Sequence, residues 1–325
     1  MAQETVLVLG ATGGIGGEVA RQLHASGWHV RGLRRSSGAS KVQGEGIEWM
    51  QGDAMNRADV ARAAQGAAVI VHAVNPPGYR RWAELVLPMM DNTIAAAKAE
   101  RATIVLPGTV YNFGPDAFPL IDESAPQHPV TRKGAIRVEM EARLQRASEE
   151  GIRALIVRAG DFFGPQARNN WFSQGVVKPG HPVSKISYPG KRGVGHEWSY
   201  LPDVARTITG LLARRDALEP LARFHMGGHW DEDGTQLMAA IRRVVARRAG
   251  QEPKTSGFPW WLLRLASPFN ATFREMGEMR YLWRTPVRLD NARLVATLGY
   301  EPHTPLDEAI EATLVGLGCL GPANS

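Results

Sequence analysis

The stretch from Thr5 to Gly17, TVLVLGATGGIGG, constrains the fold of this chain more than any other. Val6, Leu7, Val8 and Leu9 form an apolar run too short for a helix and suited to a strand buried on both faces of a parallel sheet. Gly10, Gly13 and Gly16 follow at three-residue spacing, with Thr12, Gly14 and Ile15 between them. Lacking a Cβ, Gly10 permits a tight turn, Gly13 lets the backbone approach a pyrophosphate, and Gly16 lets the next helix pack closely on the strand. That helix carries Val19, Ala20 and Leu23 on its apolar side and ends at Gly27. Its first N–H groups have no acceptor within the helix and would face phosphates. Strand, glycine turn and helix in this order point to a nucleotide site.

The second strand, expected over residues 28–33, bears on which dinucleotide is held. An acid at its end would hydrogen-bond the ribose 2′-OH of NAD. Arg34, Arg35, Ser36 and Ser37 stand there instead. Guanidinium forks and hydroxyls suit a 2′-phosphate, so NADP(H) is expected ahead of NAD(H). The alternative is that both arginines are ordinary solvated residues.

A chain of 325 residues can bury a large core, and 44% hydrophobic with 22% charged residues is an ordinary globular balance. The formal charge of +6 is dispersed, with no long basic run or aromatic-interleaved basic motif, so no nucleic-acid partner is expected. The densest cluster, Arg242, Arg243, Arg247 and Arg248, reads as the solvated side of a helix containing Ile241, Val244 and Val245. One cysteine, Cys319, excludes an intramolecular disulfide and fits a reducing compartment. With no metal-ligand cluster, no membrane-length apolar run and a first strand close to Met1, a soluble cytoplasmic protein is expected.

Strands are expected at residues 47–51, 68–72, 103–106 and 153–158, with helices near 57–65, 81–99 and 133–150. This repeated order implies right-handed crossovers and an α/β, Rossmann-type doubly wound parallel sheet. Residues 1–160 would form the nucleotide-binding part and 161–325 mainly a smaller C-terminal substrate-binding region, with 200–228 returning to the sheet. Asp203 reads as the start, and a possible N-cap, of a further helix. Trp260, Trp261, Phe269, Phe273, Tyr281 and Trp283 concentrate in one segment, as core packing or a substrate lid.

The ordered motifs resemble the extended short-chain dehydrogenase/reductase superfamily, which contains nucleotide-sugar epimerases and dehydratases. GATGGIG resembles its nucleotide fingerprint, and Gly52-Asp53 the strand end whose Asp contacts adenine. His72-Ala73-Val74 is similar to the loop beside the cofactor ribose, and Val110-Tyr111 to the VY pair of SSxxVYG. RAGDFFGP, from Arg158 to Pro165, resembles RPGxVYGP, and YLPDVA, from Tyr200, resembles YVDDVA. The resemblance implies cofactor contacts at Asp53, Ala54, Ala73, Val74 and Arg158, and possible dimerisation through helices 81–99 and 133–150.

Departures from that pattern fall on its proton-transfer residues. Pro107 occupies the serine position, and the YxxxK pair reads KGAIR, with Lys133 for Tyr, Arg137 for Lys and Glu141 as the following acid. A register placing Thr131 at the Tyr position puts Ala135 at the Lys position and does not restore the pair. Arg137 could hold a ribose but cannot shuttle protons. Lys133 could act as an acid only with a lowered pKa. Alternatively, Lys133 is exposed and Arg137–Glu141 is a surface i,i+4 pair. Other candidates are Thr109 and Tyr111 after the fifth strand, and Asn169, Asn170, Trp171 and His196 for substrate. The leading expectation is an NADP(H)-dependent oxidoreductase or epimerase-like enzyme acting on a small polar molecule. Its rival is a non-catalytic redox sensor resembling the nitrogen-repressor regulators of the superfamily.

Overall fold

The computed structural model describes residues 3–35, 46–76, 82–167, 170–267 and 271–322. Ser36, Ser37, Asn169 and Phe269 lie outside the described residues.

The first half alternates β1 (Thr5–Leu9), α1 (Gly14–Ala25), β2 (His29–Arg34), β3 (Ile47–Gln51), α2 (Arg57–Ala64), β4 (Ala67–His72), α3 (Trp82–Glu100) and β5 (Thr103–Thr109). β6 (Leu120–Ile121), α4 (Arg132–Glu149), β7 (Ala154–Ala159), β8 (Asp161–Phe163), β9 (Lys185–Tyr188), β10 (His196–Tyr200), α5 (Leu201–Leu212) and β11 (Leu221–His225) follow. The chain closes with β12 (His229–Asp231), α6 (Gln236–Ala249), β13 (Lys254–Gly257), α7 (Trp260–Ala266), α8 (Ala271–Glu278), β14 (Arg288–Leu289), α9 (Ala292–Leu298) and α10 (Leu306–Gly316).

Seven parallel strands form the main sheet in the order β11-β7-β5-β4-β1-β2-β3, a Rossmann-type α/β arrangement. Strand order reverses between β1 and β4, and the carboxyl ends there form the crevice in which such sheets bind ligands. The period of two in each strand divides the apolar residues between two cores. Val6, Val8, Val69, Val71, Val105, Leu155 and Val157 face α1 and α5. Leu7, Leu9, Ile70, Ile104, Leu106 and Ile156 face α2, α3 and α4. A third core gathers the C-terminal elements around Phe163, Trp198 and Trp283.

β5 runs past the expected residue 106 to Thr109 and contains Pro107. Its pairing with β4 stops at Val105 while its pairing with β7 continues to Thr109, so the missing proline N–H interrupts no ladder on the β4 side. α5 begins at Leu201, before Asp203, with Tyr200 at the cap position. Asp203 instead accepts hydrogen bonds from the Thr304 N–H and hydroxyl at 2.8 Å each and pairs with Arg206. The arginine cluster of α6 is likewise not simply solvated, because Arg243 pairs with Asp307 at 2.6 Å and Arg247 and Arg248 both pair with Glu311. No helix among the described residues is long and apolar enough to cross a membrane.

Three buried histidines are held neutral. Burial and the nearby Arg137 push His72 down to about 3. Burial and Arg158 bring His225 to about 4, and burial and His303 bring His229 to about 4. The unfolded chain takes up protons near pH 6.5 and the folded one only near these lower values, so folding stability falls as pH drops below 6.5. Urea unfolding at pH 7 and pH 5 should show a loss on the order of 2 kcal/mol per buried histidine at the lower pH. Equal stability at the two values would mean that these rings are charged in the folded protein.

Candidate active site

The glycine turn has the geometry its sequence implies. Gly10 lies at φ +89°, and a Cβ built there would sit 2.5 Å from the Ala73 carbonyl oxygen. A Cβ at Gly16 would fall 2.3 Å from the Gly10 carbonyl oxygen and 3.2 Å from Ala73 Cβ. These contacts bring α1 close against the ends of β1 and β4. Gly13 differs: it is exposed, extended, and a Cβ there would meet only the Gly10 carbonyl oxygen, at 3.2 Å. Open space therefore adjoins the turn at the amino end of α1, where Gly13 supplies no side-chain cap. Exposed Thr12 and half-buried Gly14 and Ile15 flank this opening, which suits a pyrophosphate.

On the β2–β3 side, the Arg34 guanidinium lies 5.1 Å above the Trp49 ring, while Arg35 is exposed. Half-buried Asp53 closes a tight turn by accepting the Met55 N–H at 3.0 Å, and the Ala54 carbonyl accepts from Asn92 at 2.9 Å. On the other side, Ala73 and Val74 leave β4 beside Gly10, the Ala73 N–H donating to the Leu9 carbonyl at 2.9 Å.

Beyond β4, the carboxyl ends of β5 and β7 carry a second group of polar side chains. Thr109 accepts the Tyr111 N–H at 3.3 Å and so fixes the turn that carries Tyr111. Thr131 accepts the Gly134 N–H at 3.0 Å and caps α4, which leaves its hydroxyl engaged and places Lys133 in the first helical turn. Lys133 is only 3% exposed, not a surface residue. Tyr111 and Lys133 line one cavity of ≈ 20 Å³ with Asn170, Trp171, Met276 and Met279. Asn170 turns its carbonyl oxygen to the Ser173 N–H at 2.8 Å, capping the next turn. Trp171 is buried against Phe258, Trp260 and Trp283. The Tyr111 hydroxyl lies 3.5 Å from Asp161 Oδ1, and Asp161 Oδ2 lies 2.9 Å from His196 Nε2.

Arg137 and Glu141 do not form a surface pair. Arg137 reaches the Pro107 carbonyl at 3.5 Å and lies 5.5 Å from the centre of the Trp82 ring. Glu141 is buried and holds Arg158 through two hydrogen bonds, of 3.0 and 2.5 Å. Arg158 also donates to His225 at 2.8 Å and lies over Phe113, with no exposed surface. Its guanidinium is consumed by these partners, so the cofactor contact expected of Arg158 has no side-chain group to make it. Burial pushes the Glu141 carboxyl up, but Arg158 and its hydrogen bonds outweigh burial and hold it below the usual range.

A model of the NAD dependent epimerase/dehydratase family matches residues 6–227. The chain belongs to this family. Solved epimerase structures share its fold. A putative epimerase from Burkholderia cenocepacia J2315 superposes with a TM-score of 0.73 at 16% identity, each chain covered to 98%. A UDP-glucose 4-epimerase from Thermus thermophilus, in complex with NAD, gives 0.71 at 20% identity over 96% of this chain and 98% of its own. A UDP-galactose 4-epimerase gives 0.68 at 17% over 97% and 98%. No curated protein sequence matches the chain.

Within this member of the family, the structure brings Tyr111, Lys133 and Trp171 to one cavity and joins His196 to it through Asp161. Asp161 was not singled out from the sequence. Its signal was there: a carboxylate stands directly past a strand buried on both faces, at the carboxyl edge of a parallel sheet. Met276 and Met279 carry no comparable signal.

Removing one partner of a sealed ion pair leaves the other charge buried and alone. Glu141→Gln should therefore lower stability by about 3–5 kcal/mol, whereas Lys98→Gln, at the exposed Lys98–Glu150 pair, should cost less than about 1 kcal/mol. Chemical denaturation of both variants checks this, and similar losses would contradict the assignment of Arg158 and Glu141 as a buried pair.

Proposed function

We propose that this chain is a nicotinamide-dinucleotide enzyme that oxidises or reduces a carbon bearing a hydroxyl in a small polar substrate, with NADP(H) preferred. The observation that carries the reading is the pairing of two features on one sheet edge. An open glycine turn lies at β1, and a small cavity lined by Tyr111 and Lys133 adjoins β5, two places away. At the usual strand spacing that is about 10 Å, within the reach of a dinucleotide laid along the edge.

Gly10, Thr12, Gly13, Gly14, Ile15 and Gly16 would hold the pyrophosphate, Asp53 and Ala54 the adenine end, and Ala73 and Val74 the ribose on the nicotinamide side. Arg34 and Arg35 would take the 2′-phosphate. When bound, the nicotinamide supplies the hydride acceptor or donor. Tyr111 gives or takes the hydroxyl proton, and Lys133, lining the same cavity, would offset the negative charge that develops on the substrate oxygen. Thr109 positions Tyr111, Arg137 steadies the ribose, and Trp171 forms an apolar wall. Nucleotide sugars are the first substrates to test, because structural neighbours of the family carry them in their names.

Calorimetry should show tighter binding of NADP(H) than NAD(H), and Arg34→Asp should reverse part of that preference by about 1.5–3 kcal/mol, roughly ten- to 150-fold. Equal affinities in the unaltered chain would exclude the 2′-phosphate assignment. Gly13→Val should fold and fail to bind, since its side chain enters the open space where the phosphates would lie. Undiminished binding would remove this turn from the site.

A further inference from the structure

We propose that Asp161 and His196 complete the proton path that begins at Tyr111, so that protons move along Tyr111–Asp161 with His196 holding the carboxylate in place. This rests on the enzymatic reading above and names how its proton is handled.

The placement follows from strand register. β5 and β7 pair through Thr109 and Ala159, so the residues immediately after each strand emerge side by side at the carboxyl edge. Tyr111 lies two positions beyond the first and Asp161 two beyond the second. β8 then pairs with β10 in parallel, Asp161 opposite Trp198. His196 lies two residues before Trp198 and shares its face of β10. Glu197 points the other way, accepting the Leu289 N–H at 2.6 Å.

The imidazole is pinned. His196 stacks on Trp283 at 3.8 Å between centroids and 12° between planes, and meets Trp198 edge-on at 5.1 Å. It is 5% exposed, and Nδ1 is buried with no hydrogen-bond partner among the described residues. A neutral imidazole has one donor nitrogen, and an ionised Asp161 requires that donor on Nε2. One carboxylate oxygen is thereby fixed on His196, and the other faces the phenol.

The step balances without a further group. With the nicotinamide supplying the hydride acceptor, the substrate hydroxyl proton would pass to Tyr111 Oη and the phenolic proton to Asp161 Oδ1 as the substrate carbon is oxidised. A carbonyl forms, Tyr111 ends neutral, and Asp161 ends protonated. Reduction runs the same transfers backwards. An asparagine at position 161 would keep the shape and one acceptor but take no proton. Asp161 acts through Tyr111 and His196 acts through Asp161, so both are positioning residues.

The test uses the full chain with Asp161→Asn, Asp161→Glu, Tyr111→Phe and His196→Phe. It combines ring-¹⁵N spectra of His196, dinucleotide affinity, and kcat and KM on a substrate from the nucleotide-sugar panel. In the unaltered protein His196 should carry its proton on Nε2, the nitrogen that faces Asp161. Asp161→Asn should keep dinucleotide affinity and KM within about twofold and lose about 10²–10⁴ in kcat. Adding Tyr111→Phe should cost little more, because the two act as one unit, and Asp161→Glu should recover part of the rate. Should Asp161→Asn fail to fold, His196→Phe keeps a ring against Trp283, removes the donor, and should lower kcat at unchanged KM. A His196 proton on Nδ1, or unaltered kcat in a folded Asp161→Asn or His196→Phe variant, overturns the path while leaving the enzymatic reading intact. An unaltered chain that binds no dinucleotide overturns both.

Discussion

The buried Arg158–Glu141 ion pair ties together the segments that carry Tyr111, Lys133 and Asp161. Arg158 stands near the end of β7, three residues before Asp161. Glu141 lies on α4, two turns after Lys133, and its Oε1 also accepts from Asn112 at 2.9 Å, the residue after Tyr111. Gln127, on the approach to α4, donates to Glu141 Oε2 at 3.1 Å. Three chain segments far apart in sequence thus converge on one carboxylate. Such a pair is a weak source of net stability, because desolvation offsets most of the attraction, but any arrangement that separates the partners is strongly disfavoured. Its effect is on geometry: Tyr111, Lys133 and Asp161 cannot drift apart without exposing a bare charge to the core.

The two halves of the site differed in how much of them the sequence made legible, for a physical reason. At the glycine turn the constraints are local. Gly10 needs its positive φ, and Gly16 needs the absence of a Cβ, within a few residues of each other, so spacing alone reveals the arrangement. Around Tyr111 the contacts to Asp161 join residues far apart, 35 positions for His196–Asp161 and 50 for Tyr111–Asp161. No periodicity encodes those. Glu141 shows how a local rule misleads: Arg137 precedes it at helical spacing, which permits a surface pair, but the buried guanidinium of Arg158 binds it instead. Lys133 departs from the same local expectation, since a lysine in a first helical turn is normally solvated and this one is buried, lining a cavity with Met276 and Met279.

The basic charge resolves on similar lines. Three arginines of α6, Arg243, Arg247 and Arg248, face Asp307 and Glu311 of α10 and join two helices of the C-terminal part, while Arg242 pairs with Glu252. Exposed ion pairs contribute little singly, but a row of them along two packed helices fixes their register. The apolar sides of the same helices, including Ile241, Val244, Ile310 and Leu314, belong to the core that also contains Trp283. The ring that pins His196 therefore rests on a core braced by these charges.

The size of the cavity adds a last constraint. A volume of ≈ 20 Å³ holds about one water molecule, while sites for small-molecule ligands run to several hundred. A substrate that filled this cavity would need one of its walls to move. Trp171 is locked among Phe258, Trp260 and Trp283, and Asn170 is committed to the turn it caps. Met276 and Met279 are unbranched and can change rotamer without breaking a side-chain hydrogen bond. Tyr111 lies just past β5 and Lys133 in the first turn of α4, so the side of the cavity that they form is anchored to the sheet and to a long helix.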